Sequence, residues 1–134
     1  MGRVFFNTRK NVHALDGAYT VLASDSGKTF MLSATGGTVA VTLPTSLEDG
    51  VYYKFIVEEE TPSNAITIAA GSAIVSLVMK DAGGNASNST VGTQVSNLII
   101  GTSAQKGDYI DLMAAGGEWV GECLSGIDDA VTTS

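Results

Sequence analysis

His13 and Cys123 are the only histidine and the only cysteine, and they stand far apart in the chain. A zinc site needs three or four ligands, and a nucleophilic triad needs a base beside its nucleophile with a third group to orient it. Neither residue has such company in the sequence. His13 is expected at a surface or an interface. Cys123 shares its strand face with Trp119 and Gly121, so a buried small apolar residue is expected there. Ser26-Gly27-Lys28-Thr29 ends like a phosphate-binding loop, but Leu22 stands where that motif needs its first glycine, and strand-forming residues follow. It is expected to be a polar hairpin turn. Two acidic groups remain: Glu58-Glu59-Glu60, and Asp108 with Asp111. Either group would suit calcium ligation or a pair of hydrolytic carboxylates beneath a sugar-stacking aromatic such as Trp119. The dense Asp-x-Asp-x-Asn-Gly loop of a calcium site is absent. The expectation is therefore no catalytic residue, no metal and no cofactor, with the acids solvating strand ends.

The elements that would position these residues are strands. Beyond residue 18 the apolar period is two: Val39, Val41 and Leu43 alternate with Thr38, Ala40 and Thr42, and Pro44 ends the run. Similar stretches open at Tyr19, Thr29, Val51, Ala65, Ala73, Gln94, Asp108 and Glu118, separated by glycine-rich or polar turns. Ala114 to Gly117 reads as a hairpin turn. No ten-residue stretch has helical spacing. The expected fold is all-β, a single β-sandwich or β-barrel of about eight or nine short antiparallel strands. The expected organisation is an extended basic N-terminal arm over residues 1–18, a β domain over 19–124 and a short polar tail over 125–134. Residues 81–90 form a polar loop suited to meeting a partner.

Charge sharpens the division. The chain has 134 residues and a net charge of −7, with charged residues making up only 16% of it. That balance excludes a general nucleic-acid binder and does not suit an anionic membrane surface. Yet Arg3, Arg9 and Lys10 precede the first acid, so the arm carries three positive charges and the remainder is strongly acidic. Phe5 and Phe6 stand between those cations. The N-terminus lacks the apolar core of a signal peptide, and no apolar run is long enough to span a membrane as a helix.

The order of motifs resembles that of tailed-bacteriophage virion proteins. The resemblance is carried by Ala23-Ser24-Asp25-Ser26-Gly27-Lys28-Thr29-Phe30, by Gly37 to Pro44, by Gly50 to Val57, and by Gly107 to Leu112 with Gly116-Gly117-Glu118-Trp119-Val120. It covers about three quarters of the chain and is similar to capsid decoration (cement) proteins and to small β-domains of tail fibres. The resemblance implies a non-enzymatic virion structural protein, made in the host cytoplasm, that binds the outer surface of the phage head and stabilises it by bridging capsid subunits. Its partners would be the major capsid protein and copies of itself, as a homotrimer. On this reading Arg3, Phe5, Phe6, Arg9 and Lys10 form the capsid or subunit interface, the aromatics as anchors and the cations as charge-assisted contacts. The alternative is a tail-fibre or host-surface module that binds a glycan or receptor through Trp119 and the loop at 81–90.

Overall fold

The computed structural model describes residues 10–71, 75–81 and 95–134. Eleven strands occur among them: β1 (Val12–Leu15), β2 (Tyr19–Thr20), β3 (Thr29–Leu32), β4 (Val39–Thr42), β5 (Tyr52–Val57), β6 (Ile66–Ala69), β7 (Val75–Asp81), β8 (Asn97–Ile100), β9 (Tyr109–Ala115), β10 (Glu118–Ser125) and β11 (Val131–Thr133). They form two sheets, a six-stranded one in the order β1-β3-β5-β9-β10-β7 and a five-stranded one in the order β11-β8-β6-β4-β2. The protein is an all-β sandwich.

The chain changes sheet at every step from β1 to β9. From β1 to β6, neighbours within a sheet are therefore separated by one strand of the other sheet, and they run the same way. β1, β3 and β5 are mutually parallel, as are β2, β4 and β6. Antiparallel pairing joins β5 to β9, β9 to β10, β6 to β8 and β8 to β11. This corrects two expectations. There are eleven strands where eight or nine were expected, and the sheets are mixed where antiparallel ones were expected. Side-chain alternation reports which face of a strand is buried; it carries no information about the direction of the neighbour.

The expected arm and tail boundaries also move. Val12–Leu15 is an edge strand inside the expected arm, and Val131–Thr133 pairs with β8 inside the expected tail. Both are short, and β1 contributes a single strongly apolar inward residue, Leu15, so neither carries a strong periodic signal.

One row of inward side chains crosses the whole six-stranded sheet: His13, Phe30, Phe55, Ile110, Cys123 and Met79 lie opposite one another in turn. The Phe30 and Phe55 rings stack at 5.3 Å, and Trp119 packs on Tyr53 at 5.5 Å. Val39, Val41, Ile66, Ile68, Leu98 and Ile100 answer from the other sheet, all fully buried. Each such side chain contributes about 1.5–3 kcal/mol by leaving water.

Two glycine sites shape the β9–β10 hairpin. Gly116 and Gly117 have φ of 64° and 84° and form the two-residue turn between Ala115 and Glu118, as expected for a primed hairpin. Gly121 lies opposite Leu112, where a Cβ would sit 1.8 Å from the Asp111 carbonyl oxygen. Backbone cannot yield there as a flexible side chain would. Gly121→Ala is expected to destabilise the protein by at least about 3 kcal/mol, read as a fall in the urea midpoint with an unchanged slope.

Candidate functional site

Three carboxylates hold loops, and two of them, Glu59 and Asp108, are ones the sequence offers as chemistry. Asp25 is 5% exposed and ends a short 3-10 turn, Ala23–Asp25, on the crossing from β2 to β3. It accepts from the Leu22 amide at 3.0 Å, the Tyr19 hydroxyl at 3.2 Å and the Lys28 ammonium at 2.5 Å. Burial alone would raise its pKa, but the Lys28 and Leu22 hydrogen bonds outweigh burial and hold the carboxyl below its ordinary value. The Tyr53 hydroxyl donates to the Leu22 carbonyl at 2.7 Å, and burial, then the nearby Asp25 charge, pushes that phenol up to about 12. The Gly-Lys-Thr segment is thus a sheet-to-sheet crossing, not the hairpin expected, and its lysine serves Asp25.

Glu59 clamps the next crossing, accepting from the Ala34 amide at 2.5 Å and from the Ser33 and Thr35 hydroxyls. Asp108 is buried and accepts from the amides of Gln105 and Gly126, each at 2.8 Å. It belongs to a turn ahead of β9, whereas Asp111 is on the outward face of β9. The structure therefore does not bring Asp108, Asp111 and Glu58–Glu60 together in one cleft. Among the described residues no group of three or more His, Cys, Asp or Glu side chains is placed to hold a metal.

Trp119 is fully buried, and its Nε1 has no hydrogen-bond partner. It cannot be the sugar platform that the alternative reading places there. His13 is half-buried and inward, its ring 5.2 Å from Tyr19 and 5.8 Å from Phe30. A surface or an interface was expected for it, and the structure turns its ring inward on the edge strand β1. Cys123 is buried as expected, and desolvation, then the Asp108 charge, pushes its thiol up to about 12.

The two outward faces differ. The five-stranded sheet presents mainly small and hydroxylic residues, with Ala40, Thr42 and Thr132 exposed and Thr67 and Ala69 half-exposed, and a single large apolar one, half-exposed Ile99, between Thr67 and Thr132. The six-stranded sheet presents larger ones, in rows set by strand register. Tyr52, Met113 and Val120 form one row; Lys54, Asp111 and Glu122 form the next; Met31, Ile56, Tyr109 and Leu124 form a third. Tyr52 is 55% exposed and Met113 44%. Together with Leu112, Gly121, Lys80, Asp111 and Glu122, the first row lines a cleft of about 640 Å³. Lys54 lies 3.8 Å from Asp111 and sits over the Tyr109 ring at 4.2 Å. The Tyr109 hydroxyl donates to Glu122 at 3.4 Å. This face is the candidate site.

Of the interface residues expected from sequence, Lys10 is exposed and borders a second cleft beside this face. Arg3, Phe5, Phe6 and Arg9 lie outside the described residues, as does the loop from 82 to 90. Sequence reasoning missed Tyr52 and Met113. Their signal was alternation within β5 and β9, which marks them as the outward partners of Tyr53 and Leu112. No family model matches the chain, and no curated protein matches it. No helix among the described residues is long and apolar enough to cross a membrane.

Two predictions follow from the buried groups. A carboxyl held low in the fold stabilises it above the unfolded-state pKa, about 3.9, and that stability is lost as pH falls through the lower folded value. Stability of the native protein should therefore drop below about pH 4, and Asp25→Asn should be less stable at pH 7 and flatter with pH over that range, measured by urea titration. The native Cys123 thiol should resist a disulfide-exchange reagent at pH 8 and react stoichiometrically once the chain is unfolded.

Proposed function

We propose that this protein is a non-enzymatic virion structural protein, a capsid decoration protein that binds the outer surface of a phage head and bridges capsid subunits. The observation that carries this reading is the asymmetry of the two sheets. One outer face is mostly threonine and alanine, with half-exposed Ile99 its one large apolar side chain among the described residues. The other carries Tyr52, Met113, Val120 and Leu124, which suit burial against protein. Exposed aromatics and methionines beside a few charges are the composition of binding surfaces, where a handful of desolvated side chains carries most of the affinity.

The body suits such a role. Both sheets are crossed by the same chain again and again, and carboxylates fasten the crossings, so a load on one face is carried into both sheets. Its partners would be the major capsid protein and further copies of itself in a homotrimer, with neither nucleic acid nor membrane involved. Attachment at several subunits multiplies modest contacts. The basic segment with Arg3, Phe5, Phe6, Arg9 and Lys10 would reach an acidic groove on the capsid or on the neighbouring copy. The protein would then reside on the capsid surface of the virion after synthesis in the host cytoplasm.

A second reading, a tail-fibre or host-surface module, is favoured by one observation: exposed Tyr52 stands beside Asp111 in the cleft, a ring next to a carboxylate. Mixing the purified protein with undecorated heads separates the two. Stoichiometric co-sedimentation is expected, weakened at least tenfold by Tyr52→Ala with Met113→Ser, and weakened also by deleting residues 2–9, which leaves β1 whole. Absence of head binding together with retention on a glycan surface would replace the first reading by the second.

A further inference from the structure

In a chain of net charge −7, three lysines converge on one place. Lys10, Lys28 and Lys54 line a cleft of about 410 Å³ with Ser26, Tyr52 and Asp111. Lys28 is paired with Asp25 and Lys54 with Asp111, whereas Lys10 has no ion-pair partner among the described residues. This cationic cleft adjoins the apolar one, since Tyr52 and Asp111 border both. An occupant that fits the two together carries an apolar side chain with negative charge a residue or two away. The apolar part is walled by Met113, Val120 and Leu112, which suit a hydrocarbon side chain rather than a hydroxyl-covered sugar.

The protein itself presents such a segment. Its exposed large apolar side chains among the described residues are Val12, Tyr52, Met113, Leu124, Leu22 and Ile127. The first four face outward on the six-stranded sheet, and Leu22 has no exposed acid next to it in the chain, only Glu48 across a shared cleft. Ile127 is different, because Asp128 and exposed Asp129 follow it directly. Asp129 has φ of 55°, so the chain turns sharply there, and the Ile127 carbonyl accepts from the Ala130 amide and the Ser125 hydroxyl, which holds the turn in one shape. Register places it at the other end of the sheet from the apolar cleft. β10 pairs Val120 with Met113 at the cleft and Leu124 with Tyr109 at the far end, and Ile127 follows.

We propose that the Ile127–Asp129 turn of one copy docks in the twin cleft of a second copy, Ile127 against Tyr52 and Met113 and Asp129 toward Lys10. The two surfaces are different and lie at opposite ends, so the contact is head to tail. Repeated with a closing rotation it makes a ring, and without one it makes a filament. The ionic half weakens with salt, because Lys10 and Asp129 are exposed, whereas the apolar half does not. The proposal deepens the self-assembly part of the function proposed above; it fills the cleft of Tyr52 and Met113 with a second copy, so the two functions are told apart at Ile127, which the head-binding surface does not include.

Sedimentation velocity on the full chain alone tests it. The native protein should form a closed oligomer at micromolar concentration, with a dissociation constant that rises with salt. Ile127→Ser should remove the turn and Met113→Glu the cleft, each raising that constant at least tenfold while the emission of Trp119 stays that of a buried indole. Mixed together, these two variants retain one intact contact per pair, so the mixture should give a heterodimer that neither forms alone. A native protein that stays monomeric, variants that assemble as the native chain does, or a mixture without the heterodimer would each overturn the proposal. Head co-sedimentation with the native chain reads the capsid function separately, so loss of one result leaves the other standing.

Discussion

The fold depends on one continuous apolar contact, the row from His13 through Phe30, Phe55, Ile110 and Cys123 to Met79 that crosses all six strands of one sheet. That row is assembled from segments spread along the chain, and up to β9 each segment returns to it only after passing through the opposite sheet. The inner faces bury each other, and the alternating path makes the burial of one a condition for the burial of the next. Gly121 is the tightest point of this arrangement, since β9 and β10 approach there until no side chain fits between them.

Such a path leaves many crossings, and every crossing exposes backbone amides that no strand satisfies. The carboxylates meet that need. Asp25, Glu59 and Asp108 each accept amide hydrogen bonds at a crossing or turn, and Asp25 adds a lysine and a tyrosine. A buried carboxylate is tolerated only with donors around it, and buried Asp25 and Asp108 have them, as does half-buried Glu59. Two of them, Glu59 and Asp108, look like candidate chemistry in the bare sequence. Their employment in the scaffold shifts functional interest from the acids to the outer surface, where Tyr52 and Met113 stand exposed while their strand neighbours Tyr53 and Leu112 are buried.

Charge and shape meet on that surface. Lysines Lys10, Lys28 and Lys54 come from the segment before β1, the crossing before β3 and the middle of β5, and only the parallel β1-β3-β5 arrangement brings them together. An antiparallel meander of the same strands would have scattered them. The mixed topology is therefore what turns an acidic protein into one with a local cationic cleft beside an apolar one.

By itself the sequence determined that the protein is all β, where most strands begin and end, which side chains face inward, and that Cys123 is buried. These are local consequences of a period-two pattern broken by glycine, proline and polar turns, and they need no knowledge of the neighbours. The binding face was legible only in part: alternation marks Tyr52 and Met113 as outward, but many outward residues look alike in sequence. Tertiary structure alone decided strand direction, the recruitment of 12–15 and 131–133 as edge strands, the inward place of His13 and the clamping work of Asp25, Glu59 and Asp108. Each of these depends on which distant segment lies alongside. That choice is made by packing two faces against each other over long sequence separations, and a local pattern of polar and apolar residues does not encode it.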